Sequence, residues 1–244
     1  MKITFLGTGE AFDDELPNTS VLVETKWARI LVDCGFSVPQ KLWKVMPDAD
    51  WLDAVYLTHL HADHYFGLPA VFVRLHEDGR DRPLDIIGSA DRVRFLMEIL
   101  DQAYPGFAGK LAFELRASTF AKNSEAPYRE LTIRTGRTVH SAPNFAIRID
   151  TPDGKSVMVS GDGEVTPESS ALMDGCSLVV HEAFLLTEQR AGHSSVREVL
   201  KAVDAATTAP GQIALVHTSR QARQGLSRMD GRFIIPSPGT IISL

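Results

Sequence analysis

Short apolar runs alternate with turn-rich polar segments over the first quarter of the chain. Residues 2–6, 20–24, 29–32 and 54–57 are rich in β-branched and aromatic side chains, and stretches such as Gly7-Thr8-Gly9 and Asp13-Asp14-Glu15-Leu16-Pro17-Asn18 separate them. This pattern predicts strands joined by turns. After His64 the pattern turns helical. Residues 84–87, 111–115 and 131–134 then read as strands, interrupted by a helix from Ser89 to Gln102 that sets Val93, Leu96, Met97 and Leu100 on one stripe. Further strands are predicted at 145–149, 156–159, 178–181, 213–217 and 240–243. A second helix, 195–206, carries Val196, Val199, Leu200 and Val203 at the same spacing, and Ser195 with Glu198 forms a capping-box pattern at its start. Residues 75–83, including His76, and 117–128 read as irregular loops. Strands and helices interleave throughout, with no linker and no internal repeat, so residues 1–244 are expected to form one layered domain.

Composition sharpens this only a little. The 244 residues are 44% hydrophobic and 23% charged, with a formal net charge of −6. That is ordinary globular usage, and it advertises no nucleic-acid or anionic-membrane surface. The two cysteines, Cys34 and Cys176, have no Cys-x-x-Cys spacing, which argues against a disulfide framework and against a cysteine-rich zinc site. No apolar run approaches the roughly 18 residues of a membrane span, and the first residues lack the pattern of a signal peptide. The expectation is a cytoplasmic protein with no membrane partner.

The chemistry concentrates in one place. Of the eight histidines, three stand in Thr58-His59-Leu60-His61-Ala62-Asp63-His64, directly after the apolar run Ala54-Val55-Tyr56-Leu57. A strand end followed by a tight loop can aim several side chains into one space, and neutral imidazoles with a carboxylate are the ligands a borderline divalent cation prefers. A merely solvated polar turn leaves three histidines and an aspartate unexplained.

The His-x-His-x-Asp-His run after a hydrophobic strand resembles the signature of the metallo-β-lactamase superfamily. Phe5-Leu6-Gly7-Thr8-Gly9, Asp33-Cys34-Gly35, Ser160-Gly161-Asp162, His181-Glu182-Ala183, Gly192-His193-Ser194-Ser195 and Val216-His217-Thr218-Ser219-Arg220 stand in the order of its ribonuclease Z-like members. The resemblance covers nearly the whole chain. It implies an α/β fold, an αβ/βα four-layer sandwich of two face-to-face mixed sheets with helices outside. It also implies two divalent metal ions, Zn2+ foremost with Mn2+ or Fe2+ as alternatives. The first would be held by His59, His61 and His140, the second by Asp63, His64 and His217, with Asp162 between them and a metal-bridging hydroxide as nucleophile. Asp63 would orient that hydroxide or take its proton. Taken alone, His140 reads equally well as a surface strand end, Asp162 as turn chemistry, and His217 as a strand-end polar residue.

Glu182 and His193 resemble a pair that ribonuclease Z-like and related phosphodiesterases add to the superfamily core. Expelling an alkoxide from a phosphodiester calls for a proton donor, which a thiolate leaving group does not need. His193 is assigned as that acid and Glu182 as its partner, whereas Ser195 reads as a helix cap and His181 as a strand residue. Arg220 is the candidate contact for a substrate phosphate, with a solvated helix face as its alternative.

The chain departs from ribonuclease Z proper in two respects. The span from His140 to Asp162 leaves no room for the long arm that grips transfer RNA, and Gly163 replaces the usual threonine. Nor can two cysteines build the structural zinc of the phosphodiesterase group that works in phosphonate breakdown. The leading expectation is therefore a metal-dependent hydrolase, a phosphodiesterase acting on a small nucleotide-like or cyclic phosphodiester. Ribonuclease Z-type RNA 3′ processing is the alternative, followed by lactonase or thioesterase activity. A non-catalytic metal-binding protein is disfavoured because every ligand position is filled. Homodimers are common in the resembling families.

Overall fold

The computed structural model describes residues 1–118, 125–226, 228–229 and 231–244. In the first half the apolar runs become β1 (Lys2–Gly7), β2 (Ser20–Glu24), β3 (Arg29–Val32), α1 (Pro39–Val45), β4 (Ala54–Tyr56), α2 (Ala62–Tyr65), α3 (Leu68–Glu77), β5 (Leu84–Ile87), α4 (Ala90–Ala103) and β6 (Leu115–Ser118). The second half supplies β7 (Glu125–Tyr128), β8 (Leu131–Arg137), β9 (Phe145–Asp150), β10 (Ser156–Val159), α5 (Pro167–Ala171), β11 (Leu178–Glu182), α6 (Val196–Asp204), β12 (Gln212–Val216), α7 (Arg220–Leu226) and β13 (Ile241–Ser243).

Two mixed sheets result. One has the order β13-β1-β2-β3-β4-β5-β6 and the other β12-β11-β10-β9-β8-β7. In the first, β13 to β3 pair antiparallel and β3 to β6 parallel. In the second, β7 to β10 pair antiparallel and β10 to β12 parallel. Alternation along each strand divides the apolar side chains between two faces. Ile3, Phe5, Val21, Val23, Ile30 and Val32 meet Ile133, Ile147, Ile149, Val157 and Val180 in the core between the sheets. Leu22, Leu31, Val55 and Ile86 point the other way, onto Leu42, Leu68, Phe72, Leu96 and Leu100 of α1, α3 and α4. Met158, Val179 and Leu215 likewise receive Val196, Val199, Leu200 and Val203 of α6. The four layers are those of the αβ/βα sandwich expected from the sequence. No helix among the described residues is long and apolar enough to cross a membrane.

Three local expectations are corrected. The strand expected at 111–115 begins only at Leu115, because pairing with β5 selects Leu115–Ser118. The loop expected at 75–83 is shorter, since α3 runs to Glu77 and the His76 Nδ1 accepts the Ala112 amide at 3.1 Å. Inside that loop Arg80 is buried and donates to the carbonyls of Ala49, Arg82 and Pro83. The span 117–128, read as irregular, contains the end of β6 and all of β7. Ladders to β5 and β8 override their weak strand propensity, and 119–124 lie outside the described residues.

The Ser195 cap forms as expected. Ser195 Oγ accepts the Glu198 amide at 3.3 Å, and Glu198 Oε2 accepts the Ser195 amide at 2.9 Å. Ser195→Ala is expected to cost about 1 kcal/mol, read as a lower urea midpoint, while kcat on the best substrate stays within a factor of about two. A large loss of kcat with unchanged stability would instead give Ser195 a part in the chemistry.

Candidate metal centre

The carboxyl ends of β4, β8, β10 and β12 lead into the segments that carry the candidate ligands, and those of β3 and β11 carry supporting carboxylates. Asp33 follows β3 in the left-handed region, φ 59°, a conformation that aspartate tolerates better than most residues. Its Oδ1 accepts the Thr58 amide at 2.8 Å, and its Oδ2 accepts the Thr58 hydroxyl at 2.7 Å and His64 Nδ1–H at 2.8 Å. One buried carboxylate thus holds both the start of the histidine loop and the ring of its last histidine.

The rings are oriented from behind. His59 Nδ1 lies 3.1 Å from the Thr58 hydroxyl, and His140 Nδ1–H donates to the Gly192 carbonyl at 2.7 Å. With those nitrogens occupied, His59 Nε2 and His140 Nε2 both face His61 Nδ1, each at 3.1 Å. Lone pairs held this close need a cation or a proton between them. The spacing also resembles the roughly 3.3 Å edge of a tetrahedron with bonds of about 2.0–2.1 Å.

Beside this trio stands a second group, Asp63, His64, Asp162 and His217, and within each group the donor atoms all lie within 4.8 Å of one another. His64 Nε2 is 3.2 Å from Asp63 Oδ2 and 3.4 Å from Asp162 Oδ2, and His217 Nε2 is 3.3 Å from Asp162 Oδ2. The same Asp162 oxygen lies 3.8 Å from His59 Nε2 and 3.9 Å from His140 Nε2, so it stands between the groups. Its turn is built on glycine. Gly161 (φ 64°) and Gly163 (φ 123°) leave no space for a side chain, a Cβ on Gly163 falling 2.4 Å from Thr138 Oγ1. That hydroxyl donates to the Asp162 carbonyl at 2.6 Å, so Thr138 supports the turn from outside.

The electrostatics suit a cation. Burial pushes His59, His61 and His140 down, towards the neutral form that binds metal. Burial would raise Asp162, but the imidazoles of His217 and His64 outweigh it and hold the carboxyl well below its usual range. His64 Nε2, Asp162 Oδ1 and His217 Nδ1 are buried without a hydrogen-bond partner. Two borderline divalent ions fit these residues by donor type and spacing.

At the rim, buried Glu182 accepts the Gly163 amide at 2.7 Å and His193 Nδ1–H at 3.0 Å through Oε1, and the Phe184 amide at 3.0 Å through Oε2. Burial lowers the His193 imidazolium, but Glu182 outweighs that effect and leaves its pKa above the ordinary histidine value. The His193 ring stacks on Phe184, centroids 4.5 Å apart, and lies 5.1 Å from the His140 ring. His181 sits buried in β11, apart from these groups. Arg220 stands against carboxylates: Nε is 3.2 Å from Glu10 and Nη1 3.9 Å from Asp14. Asp33, the Gly192 carbonyl and Phe184 were not singled out from sequence. Asp33 and Gly192 stand in stretches shared with the ribonuclease Z-like pattern, with no role assigned to either from sequence, and Phe184 left no signal.

This geometry and the comparisons with known proteins define a metal-dependent hydrolase of the metallo-β-lactamase fold. The structure superposes on human tRNase Z, short form, with a TM-score of 0.80 and 22% identity, covering 100% of this chain and 99% of that one. In sequence, ribonuclease Z from an Exiguobacterium species is 25% identical over 274 residues, covering 90% of this chain and 89% of the relative. Residues 1–233 match the family described as Anti-Pycsar protein Apyc1, and the chain belongs to it. The Apyc1 protein of Bacillus phage 010DV004 is 46% identical over 72 residues, 29% of this chain and 28% of that one.

Asp33→Ala frees the His64 ring and leaves the Thr58 groups unpaired. It is expected to weaken divalent-ion binding at the Asp63, His64, Asp162 and His217 group about 10–100-fold by competition against a chelator, with the His59, His61 and His140 group affected less. Unchanged affinity at both would limit Asp33 to holding the loop.

Proposed function

We propose that this protein hydrolyses a small, nucleotide-like or cyclic phosphodiester. His59, His61 and His140 would hold one divalent ion and Asp63, His64 and His217 a second, with Asp162 between them and Zn2+ the first choice. Bound there, such ions supply Lewis acidity and a nucleophilic water at neutral pH. The observation that carries the reading is the Glu182–His193 pair, 3.0 Å apart at the rim of the donor cluster. With Nδ1–H given to Glu182, His193 has Nε2 for the substrate, and the buried carboxylate favours the imidazolium.

Water oxygen bonds to phosphorus, the bond to the leaving oxygen breaks with its electron pair on that oxygen, and His193 Nε2–H gives it a proton. Asp63 orients the attacking water and takes its proton through the oxygen turned away from His64. A thiolate leaves without such an acid, which sets thioester hydrolysis behind phosphodiester hydrolysis.

Size speaks for a small substrate. Beside the cluster, Val139, His140, Ser141, Glu164, Arg190, Gly192 and His193 line a cleft of ≈ 430 Å³, within the range of small-molecule sites. RNA 3′ processing is the second reading, favoured by the ribonuclease Z relatives. Against it, β9 and β10 form an antiparallel hairpin between His140 and Asp162, with a turn where a long arm would project. Residues 1–244 are read as one catalytic domain.

Elemental analysis should find two divalent ions per chain, and stripping them should abolish turnover until Zn2+, Mn2+ or Fe2+ is restored. One ion or none, with nothing restored, would overturn the reading. His193→Ala is expected to cut kcat about 10²–10⁴-fold on alkyl phosphodiesters and far less on bis(p-nitrophenyl) phosphate, whose leaving group needs little protonation. Equal losses on both would remove the acid role. Strong lactone turnover without phosphodiester turnover would shift the assignment to a lactonase.

A further inference from the structure

The arginines near the cluster divide sharply by what they touch. On α7, Arg220 is matched by Glu10 and Asp14, and Arg223 by Asp13 and by Glu15 at 2.7 Å. These pairs fasten α7 to the acidic β1–β2 loop and leave both guanidinium groups neutralised by carboxylates. Arg190 differs. Among the described residues it has no carboxylate partner, and its guanidinium carbon sits 4.8 Å from the centroid of the Phe184 ring. An aromatic face holds a guanidinium in place while its N–H fork stays available for a planar anion.

Arg190 is also tied to the site through its backbone. Its carbonyl accepts the His193 amide at 3.1 Å, closing a turn over Ala191 and Gly192 in which Gly192 takes φ 81°. The Gly192 amide donates to Glu164 Oε1 at 2.7 Å, and its carbonyl takes His140 Nδ1–H at 2.7 Å. One pinned turn therefore places a candidate acid, the orientation of a candidate ligand and a free cation along the same cleft. Phe184 completes the link, since the ring beneath Arg190 is the ring on which His193 stacks.

We propose that Arg190 determines specificity on the leaving-group side of the substrate, by binding a second anionic group, a phosphate or carboxylate, on the part that bears the leaving oxygen. This rests on the phosphodiesterase reading, which puts the leaving oxygen at His193. Two carboxylates also face this region. Glu182 is buried and accepts from His193 and two amides, and Glu164 Oε1 is engaged by Gly192. Arg190 is a permanent cation in the cleft, beside the titratable His193. An anionic fragment gains a charge-assisted, two-point contact there, whereas a neutral one gains none.

The test compares two symmetrical diesters, so that either bond broken releases the same group: bis(4-carboxyphenyl) phosphate and its neutral counterpart, bis(4-methoxycarbonylphenyl) phosphate. On the carboxylate-bearing diester, Arg190→Ala should lower kcat/KM about tenfold or more, mainly through KM, and on the neutral one less than about twofold. Arg190→Lys should recover part of the loss. Equal effects on the two diesters, or none, would overturn the proposal. Calorimetric titration of the departing fragment, 4-hydroxybenzoate, into metal-loaded wild type and Arg190→Ala separates the two readings. If wild type turns over neither diester, the phosphodiesterase reading fails, and the titration still decides Arg190. About tenfold weaker binding by Arg190→Ala supports it as an anion site, and equal binding or none overturns it.

Discussion

A single carboxylate oxygen, Asp162 Oδ2, lies within 3.3 to 3.9 Å of imidazole nitrogens from His217, His64, His59 and His140. Those histidines come from three separate strand ends, and a buried carboxylate without compensating charge would cost several kcal/mol. The arrangement is self-consistent only when positive charge occupies the space between donors, as protons on the rings or as metal ions. Everything that shapes the edge of the sandwich serves this constraint. The parallel strands β10, β11 and β12 stop together on one side, and β3 and β4 bring Asp33 and the histidine loop to the other. Gly161 and Gly163 make a turn tight enough to insert Asp162 between Thr58 and Thr138.

Such a site needs orientation as much as proximity. Each of His59, His64 and His140 has its Nδ1 fixed by a different kind of partner: a hydroxyl, a carboxylate and a backbone carbonyl. All three leave Nε2 for the centre. Two backbone positions are held in the left-handed region to achieve this geometry, Asp33 at φ 59° and His217 at φ 52°. Strain of this sort persists only where the surroundings over-determine it. Asp33 is held by three hydrogen bonds to its carboxylate, by its amide donating to the Tyr56 carbonyl and by its carbonyl accepting the Ser20 hydroxyl, and His217 by its amide donating to the Thr8 carbonyl at 2.9 Å. The Gly-Thr-Gly turn after β1 thus reaches the centre without supplying a ligand.

Much of this was legible in the sequence because the physical signals were local. Strands such as 20–24, 29–32, 84–87 and 156–159 show their apolar character directly, and α6 announces itself through Ser195, Glu198 and four valine or leucine positions on one face. The histidine loop was equally plain, since three imidazoles and a carboxylate within one turn have few other uses. His140, Asp162 and His217 were different. Nothing in their own surroundings distinguishes them from ordinary strand ends, and only their order relative to a known pattern singled them out. Short elements also escaped. Helices α1, α5 and α7 are two turns or fewer, too brief for periodicity to register.

The arginines show where sequence reading stops for a physical reason. Arg220 stands three positions from His217, and proximity in the chain made it the natural partner for a phosphate. Its charge is nevertheless committed, because the folded β1–β2 loop brings Glu10 and Asp14 to it across more than two hundred residues of chain. Arg190 carried no signal at all, lying in a stretch with neither periodicity nor motif of its own. What distinguishes it is that no carboxylate among the described residues pairs with it, combined with an aromatic support, and both depend on long-range packing. A cation's availability is thus a property of the fold. The net charge of −6 makes the point sharper: in a chain with an excess of acidic residues, an arginine on the wall of a cleft that pairs with no carboxylate among the described residues is set apart by its surroundings.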